Sequence, residues 1–302
     1  MTESRTYSVA GFLFILEAEA SLFDWMQNLQ PFYVHDSSVT VNSEIAFSIK
    51  TSTSVSPFQS DIARKATYSV NRGSDCPQTD IFFESDCVRF QFHVRPGKPV
   101  VAELVSDNDF THGQLSLSGV SDVFSMNTAI KLMFTFATAL SGALETHASV
   151  VVHNGTGYLF LGFSGTGKST HSRLWLDTIP DTELLNDDFP VLRLMSDGSV
   201  RVFGSPWSGK TPCYKQENAP VGAIVWLRQE KENTIQKLSA VDAYAAMMSS
   251  TSAFRPIPRL ADGWHKALEG ISTSVPFYIL DCTPDRSAAE LCFRAINSQN
   301  NC

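Results

Sequence analysis

The sequence predicts an α/β protein, α+β overall, in which a β-rich stretch over residues 1–124 precedes an α/β half over residues 125–302. Three observations predict it. Short alternating runs rich in Ser, Thr, Val and Phe fill the first stretch; an apolar segment of helical length opens the second; and an apolar strand, a glycine-rich turn and a helix follow one another from Tyr158 onward. With 302 residues, 43% of them hydrophobic and 18% charged, the chain can bury a full core in two domains, which excludes a disordered, collagenous or mini-protein chain.

Taken in order, the apolar patch from Val9 to Leu16 is short and runs straight into Glu17 and Glu19, which suits a strand and not a secretion signal. A helix is expected over Ser21 to Leu29, ended by Pro31. The alternating runs Val39 to Ile49 and Ile81 to Val94, with the turn cluster Asn71-Arg72-Gly73-Ser74 between them, predict mostly antiparallel strands. From Asn127 to Glu145 the segment NTAIKLMFTFATALSGALE predicts a buried helix with His147 at its end, and a domain boundary near residue 125. Val150 to Val152 and Tyr158 to Leu161 flank Asn154-Gly155, a pair suited to the two positive-φ positions of a type I′ turn, so a hairpin is expected. Farther on, Ala223 to Leu227 reads as a strand, and Val241 to Met248 and Ala288 to Ile296 as helices.

Thirty-one acidic against 23 basic side chains give a net charge of -8, the wrong sign for a nucleic-acid partner; any phosphate binding has to be local. No apolar run reaches the length that spans a membrane, so no membrane partner is expected. Cys76, Cys87, Cys213, Cys282, Cys292 and Cys302 form no CxxC pair, which argues against a zinc site or disulfide framework and for a reducing, cytoplasmic setting.

Gly162-Phe163-Ser164-Gly165-Thr166-Gly167-Lys168-Ser169 fits G-x-x-x-x-G-K-[ST] between an apolar strand and a helix expected over Lys168 to Leu176. Glycines at 162, 165 and 167 allow successive backbone N–H groups, from Ser164 through Thr170, to point inward around a phosphate at a helix N-terminus. Lys168 would reach the β- and γ-phosphates of a nucleotide, and Ser169 would offer its hydroxyl to Mg²⁺. Gly204-Ser205-Pro206-Trp207-Ser208-Gly209-Lys210-Thr211 satisfies the same expression, but Pro206, Trp207 and Pro212 are unsuited to a phosphate loop and no helical pattern follows. Lys210 is either a contact from a substrate loop or a solvated surface lysine.

Leu184-Leu185-Asn186-Asp187-Asp188 reads as an apolar strand ending in adjacent carboxylates: one to hold Mg²⁺ opposite Ser169, the other to accept the proton of an attacking hydroxyl. Neighbouring strand residues face opposite ways, so the two need not share a role. Of seven histidines, His147 stands just before the hairpin, whereas His171, on the loop helix, is expected to pack or hydrogen-bond there.

The order HASVVVHNGTGYLFLGFSGTGKST, then LLNDD, resembles the catalytic core of the HPr kinase/phosphorylase family, relatives of ATP-type phosphoenolpyruvate carboxykinase. The resemblance implies that nucleotide-binding fold over residues 125–302, with His147 near the transferred phosphate, Lys168 and Ser169 on phosphates and Mg²⁺, and Asp187 and Asp188 dividing metal and base duties. It implies an ATP- and Mg²⁺-dependent kinase acting on a hydroxyl, a serine above all, of a protein, peptide or small-molecule acceptor, and a homo-oligomer, as in the hexameric HPr kinases. The family's downstream signature carries a metal-binding Glu, whereas VRVFGSPWSGKTPCYK has no carboxylate from Val200 to Lys215. That departure keeps open a nucleotide-binding sensor or docking protein with reduced turnover; a carboxykinase-like enzyme is a further alternative. The β-rich first 120 residues do not resemble the N-terminal domain of the HPr enzymes.

Overall fold

The structure is a computed structural model that describes residues 1–35, 44–53, 65–71, 73–119, 122–209, 211–252 and 256–297. It is mixed α/β, with two sheets in two compact units, Met1–Ala137 and Thr138–Cys302. Among the described residues no helix is long and apolar enough to cross a membrane.

The first unit is built on β1 (Thr2–Val9), β2 (Phe12–Glu19), β3 (Ile45–Thr53), β4 (Tyr68–Asn71), β5 (Gln78–Phe83), β6 (Cys87–His93), β7 (Val100–Asp107) and β8 (His112–Leu117), in the order β1-β2-β3-β8-β7-β6-β5-β4. Five of its neighbour pairs are antiparallel, but β3 runs parallel to both β2 and β8. A parallel step needs a crossover connection, and here α1 (Ala20–Trp25) and a 3-10 turn (Gln27–Phe32) lie on the path from β2 to β3. The helix expected over Ser21 to Leu29 is thus shorter, and Pro31 sits inside the 3-10 turn instead of ending an α-helix. Part of the run from Val39, and Arg72 of the expected turn, lie outside the described residues.

The apolar segment from Asn127 is helical only as α2 (Val123–Ala137), whose buried face includes Met126, Ala129, Ile130, Met133 and Phe134. That face packs on β3, β7 and β8, so α2 belongs to the first unit, whereas the sequence alone sets the boundary ahead of it. The rest of the segment leaves the helix: Gly142 turns at φ 73° and Ala143–Glu145 forms a strand, β9. His147 therefore follows a strand and not a helix end.

The second unit adds β10 (Ala148–His153), β11 (Thr156–Leu161), α3 (Lys168–Thr178), β12 (Thr182–Asp188), β13 (Val191–Leu194), β14 (Val200–Phe203), β15 (Asn218–Gln229), β16 (Thr234–Lys237), α4 (Ala240–Ser250), α5 (Pro258–Ser274), β17 (Phe277–Cys282) and α6 (Arg286–Asn297). The sheet runs β12-β10-β11-β15-β14-β13-β9, with β17 on β15 and β16 on β17; β11, β15 and β17 are mutually parallel neighbours. Ala223, Ile224, Val225 and Leu227 are all buried, the continuous apolar run expected of a strand covered on both faces.

One face packs Leu161, Leu185 and Ile224 against Trp264, Leu268 and Ile271, the apolar stripe of α5; the other packs Val151, Phe160 and Val225 against Trp175 of α3 and Ala288, Cys292 and Ile296 of α6. Helix starts follow local chemistry: Pro258 occupies the first turn of α5, and Ser239 caps α4 by accepting from the Asp242 amide. The expected hairpin is present: β10 and β11 pair from Ser149↔Phe160 to His153↔Thr156, with Asn154 and Gly155 at φ 48° and 75°. On its other side β10 pairs β12, with a bulge that leaves Leu185 unmatched between Leu184↔Val151 and Asn186↔Val150.

Candidate phosphate-binding site

Pairing fixes where the chemistry-bearing residues fall. Phe160, Ser149 and Asp187 lie side by side across β11, β10 and β12. One residue farther toward the same sheet end come Leu161, Ala148 and Asp188, and beyond them Gly162, His147 and Phe189. Neighbouring strands are about 4.8 Å apart, so the start of the glycine-rich loop, His147 and the acidic pair share one sheet end within roughly two strand spacings, or ~10 Å.

The loop has the backbone its composition calls for. Gly162, Gly165 and Gly167 have φ of 147°, 85° and 93°, conformations that side-chain-bearing residues rarely adopt, and Gly167 leads into α3. A Cβ on Gly162 would come 2.6 Å from Thr166 Oγ1, whose hydroxyl donates to Phe163 O at 2.8 Å to close the turn. The Lys168 ammonium donates to Gly162 O (3.1 Å) and Phe163 O (3.3 Å), lying across the inside of its own loop. Swinging to a phosphate would exchange two neutral acceptors for an anionic one. Ser164, Gly165, Ser169 and Thr170 are exposed around it, and Gln229 Nε2 donates to Gly165 O at 3.2 Å, tying the loop to the end of β15.

The two aspartates face opposite ways. Asp187, 5% exposed, sits beside Ser149, whose hydroxyl accepts from Ser172 of α3 at 2.6 Å; this is the α3 face of the sheet, and α3 begins with Lys168 and Ser169. Asp188 pairs instead with Ala148 on the other face, and its Oδ1 lies 3.2 Å from His147 Nε2. The His147 ring stacks on Phe189 (5.5 Å, 19°), and its backbone N–H donates to Ser250 O at 2.6 Å. Stacked on one side and within hydrogen-bond distance of Asp188 on the other, the imidazole is held to its carboxylate.

Asn186, which the sequence reading passes over, organises this turn. It is fully buried; its Oδ1 accepts from the Asp188 and Phe189 amides, and its Nδ2 donates to Ser205 O, Ser205 Oγ and Trp207 O. Only an amide side chain both donates and accepts in this way. The signal available in the sequence was a lone polar residue between Leu185 and the acidic pair, too slight to single out by itself.

The second GxxxxGK[ST] match is a different object. Neither Gly204 nor Gly209 has positive φ; both are glycine because backbone passes close by, Lys215 O at Gly204 and Asp187 O, 2.8 Å from an added Cβ, at Gly209. The Gly209 amide donates to Asp187 O at 2.6 Å and Ser208 bridges Asp188, so this segment braces the acidic pair. Lys210 lies outside the described residues.

His171 is 3% exposed, packs edge-on to Phe160 and accepts at Nε2 from Trp175 Nε1 (3.2 Å), which places the proton of the neutral ring on Nδ1. Burial pushes its pKa down to about 4. It is a packed, neutral histidine, as its place on the loop helix suggested.

No family model matches the sequence, and no curated protein does. Among solved structures, the HPr(Ser) kinase/phosphatase from Coxiella burnetii is similar over 52% of this chain and 90% of that one, at 12% identity and a TM-score of 0.33. A likeness of that size fixes no chemistry, which rests on the residues of the site.

Proposed function

We propose that the second unit is an ATP-dependent phosphotransferase that moves the γ-phosphoryl group to a hydroxyl, a serine above all, of a protein, peptide or small-molecule acceptor. The observation that supports this reading best is the convergence on one sheet end of a positive-φ glycine loop, its lysine, and a His147–Asp188 pair at 3.2 Å. Loop amides and Lys168 hold the phosphates and take up negative charge as the γ-phosphoryl departs. Asp188, oriented by His147, accepts the acceptor's hydroxyl proton as the new O–P bond forms and the bond to ADP breaks.

Among the described residues no group of three or more His, Cys, Asp or Glu is arranged to hold a metal. Mg²⁺ does not require one, since it is commonly held by one or two carboxylates together with substrate phosphates and water. Ser169 and Asp187, on α3 and on the face α3 covers, fit that need, and the ion would supply charge neutralisation between the β- and γ-oxygens.

A second reading, nucleotide binding without turnover, is favoured by one observation: the segment from Gly204 to Lys215 that braces the acidic pair contains no carboxylate. Measuring ATP affinity and γ-phosphoryl transfer separately over a panel of seryl peptides and small alcohols decides between them. Transfer that Asp188→Asn abolishes, with ATP affinity kept, is the expected result, and EDTA should stop it. Tight ATP binding with no phosphoproduct across the panel would leave the second reading.

A further inference from the structure

Phe163 has a side chain that the glycine loop itself does not use. Its carbonyl accepts from the Thr166 amide (3.2 Å), the Thr166 hydroxyl (2.8 Å) and Lys168 Nζ (3.3 Å), so its backbone is fixed. The ring is 68% exposed, more than any other Phe, Tyr or Trp among the described residues, and so adds nothing to the core. It stands edge-on to Trp226 of β15, with centroids 5.3 Å apart and planes at 88°. Trp226 is itself only partly buried, as is Ile279, its partner on β17. Apolar surface left in water beside the loop is stabilised when another apolar group covers it.

Register relates this surface to Asp188. Trp226 pairs with Leu161, Leu161 lies across from Ala148, and Ala148 pairs with Asp188, so one row runs across β15, β11, β10 and β12. Trp226, Leu161 and Ala148 all pack on the α5 side of the sheet, the face that Asp188 shares. Phe163 follows β11 and reaches Trp226 on β15, which places its ring two to three strand spacings from Asp188, or roughly 10–14 Å. A small alcohol held at Asp188 does not extend that far. An extended peptide, advancing about 3.3 Å per residue, covers the distance in three or four residues.

We infer that Phe163, backed by Trp226, is a specificity-determining residue for the acceptor: it takes a large apolar side chain about three or four residues from the serine that is phosphorylated. The inference rests on the phosphotransferase reading above. A rigid aromatic ring on a fixed backbone is the kind of anchor that carries recognition, since little freedom is lost when it is covered. The glycine loop then does two things with one turn: its amides and Lys168 face the phosphates, and the Phe163 ring faces the acceptor.

The test is steady-state phosphoryl transfer from ATP in Mg²⁺ by the intact protein to seryl peptides of Gly and Ala that carry a single Leu, walked through about five positions on either side of the serine, with a Leu-free reference. A Leu three or four residues from the serine should raise kcat/KM at least about tenfold over the reference, through KM and with kcat little changed. In Phe163→Ala that ratio should fall to within about twofold, and Phe163→Leu should keep most of it. Because the ratio is taken within each variant, a general loss of activity cancels. Equal rates at every Leu position, a preference confined to the residues next to the serine, or a preference that survives Phe163→Ala would overturn the inference. So would transfer to small alcohols but to no peptide; in all these cases the phosphotransferase reading stands. ATP binding with no transfer to any acceptor would instead overturn that reading, and this inference with it.

Discussion

Replacing Asn186 by Ala tests the turn that holds the acidic pair. The side chain is fully buried and its loss leaves the Phe189 and Asp188 amides and the Ser205 and Trp207 carbonyls short of partners at once. An unsatisfied buried polar group costs about 1–3 kcal/mol, and since Ser205 Oγ also reaches Trp207 O, about three groups go unmet, for a loss of at least about 3 kcal/mol. With a urea slope of about 2 kcal/mol/M, the unfolding midpoint should fall by at least about 1.5 M. Tryptophan fluorescence suits the assay, because four of the five tryptophans, Trp175, Trp207, Trp226 and Trp264, lie in the second unit. A midpoint within about 0.5 M of wild type, or about 1 kcal/mol, would refute the account of Asn186 as the organiser of that turn.

Other perturbations separate the two similar motifs and the histidine. Lys168→Ala should abolish ATP binding, whereas Lys210→Ala should leave affinity within about tenfold, or about 1.4 kcal/mol; calorimetry giving the opposite order would relocate the phosphate site. Gly209→Ala brings a Cβ 2.8 Å from Asp187 O and should cost about 1–3 kcal/mol and impair transfer, while Gly165→Ala, with nothing within 4 Å of the added Cβ, should cost only the ~1–2 kcal/mol of its left-handed backbone in urea melts. The folded pKa of His171, about 4, lies below the ordinary 6.5, so its stabilising contribution is full above pH 6.5 and is lost as pH falls toward 4. Stability should drop by up to about 3 kcal/mol across that window. His171→Gln, which keeps an acceptor for Trp175, should flatten the drop; an unchanged slope would assign it to other groups.

What could be read in advance was what is local. The hairpin around Asn154-Gly155, the positive-φ glycines of the loop and the start of α3 at Lys168 are set by residues within a few positions of each other, and each is where it was expected. Long-range features were not legible. The parallel neighbours β11 and β15 are about 60 residues apart in sequence, and β3 lies between two parallel partners although the composition around it suggested antiparallel pairing. The apolar segment from Asn127 to Glu145 was of one character in hydrophobicity, yet Gly142 breaks it into a helix of one unit and a strand of the other. The glycines of the second motif look like those of the first because sequence does not distinguish a glycine needed for its dihedral angle from one needed for lack of bulk.

The single unmatched residue of the bulge, Leu185, has a consequence for how this chain can vary in length. Leu184 and Asp187, three positions apart, both fall on the α3 face because Leu185 is extra, so removing Leu185 would restore a regular ladder with Asp187 still beside Ser149 and Asp188 beside Ala148. Adding one residue to that ladder between Asn186 and Asp187 would instead move each downstream carboxylate to the other face: Asp187 away from α3, Asp188 away from His147. Side-chain exchange at Leu185 alters packing alone. The site therefore has a reading frame that tolerates loss of the bulged residue but not a one-residue insertion after it, which would scramble the division of labour between two aspartates while leaving the composition of the segment almost untouched.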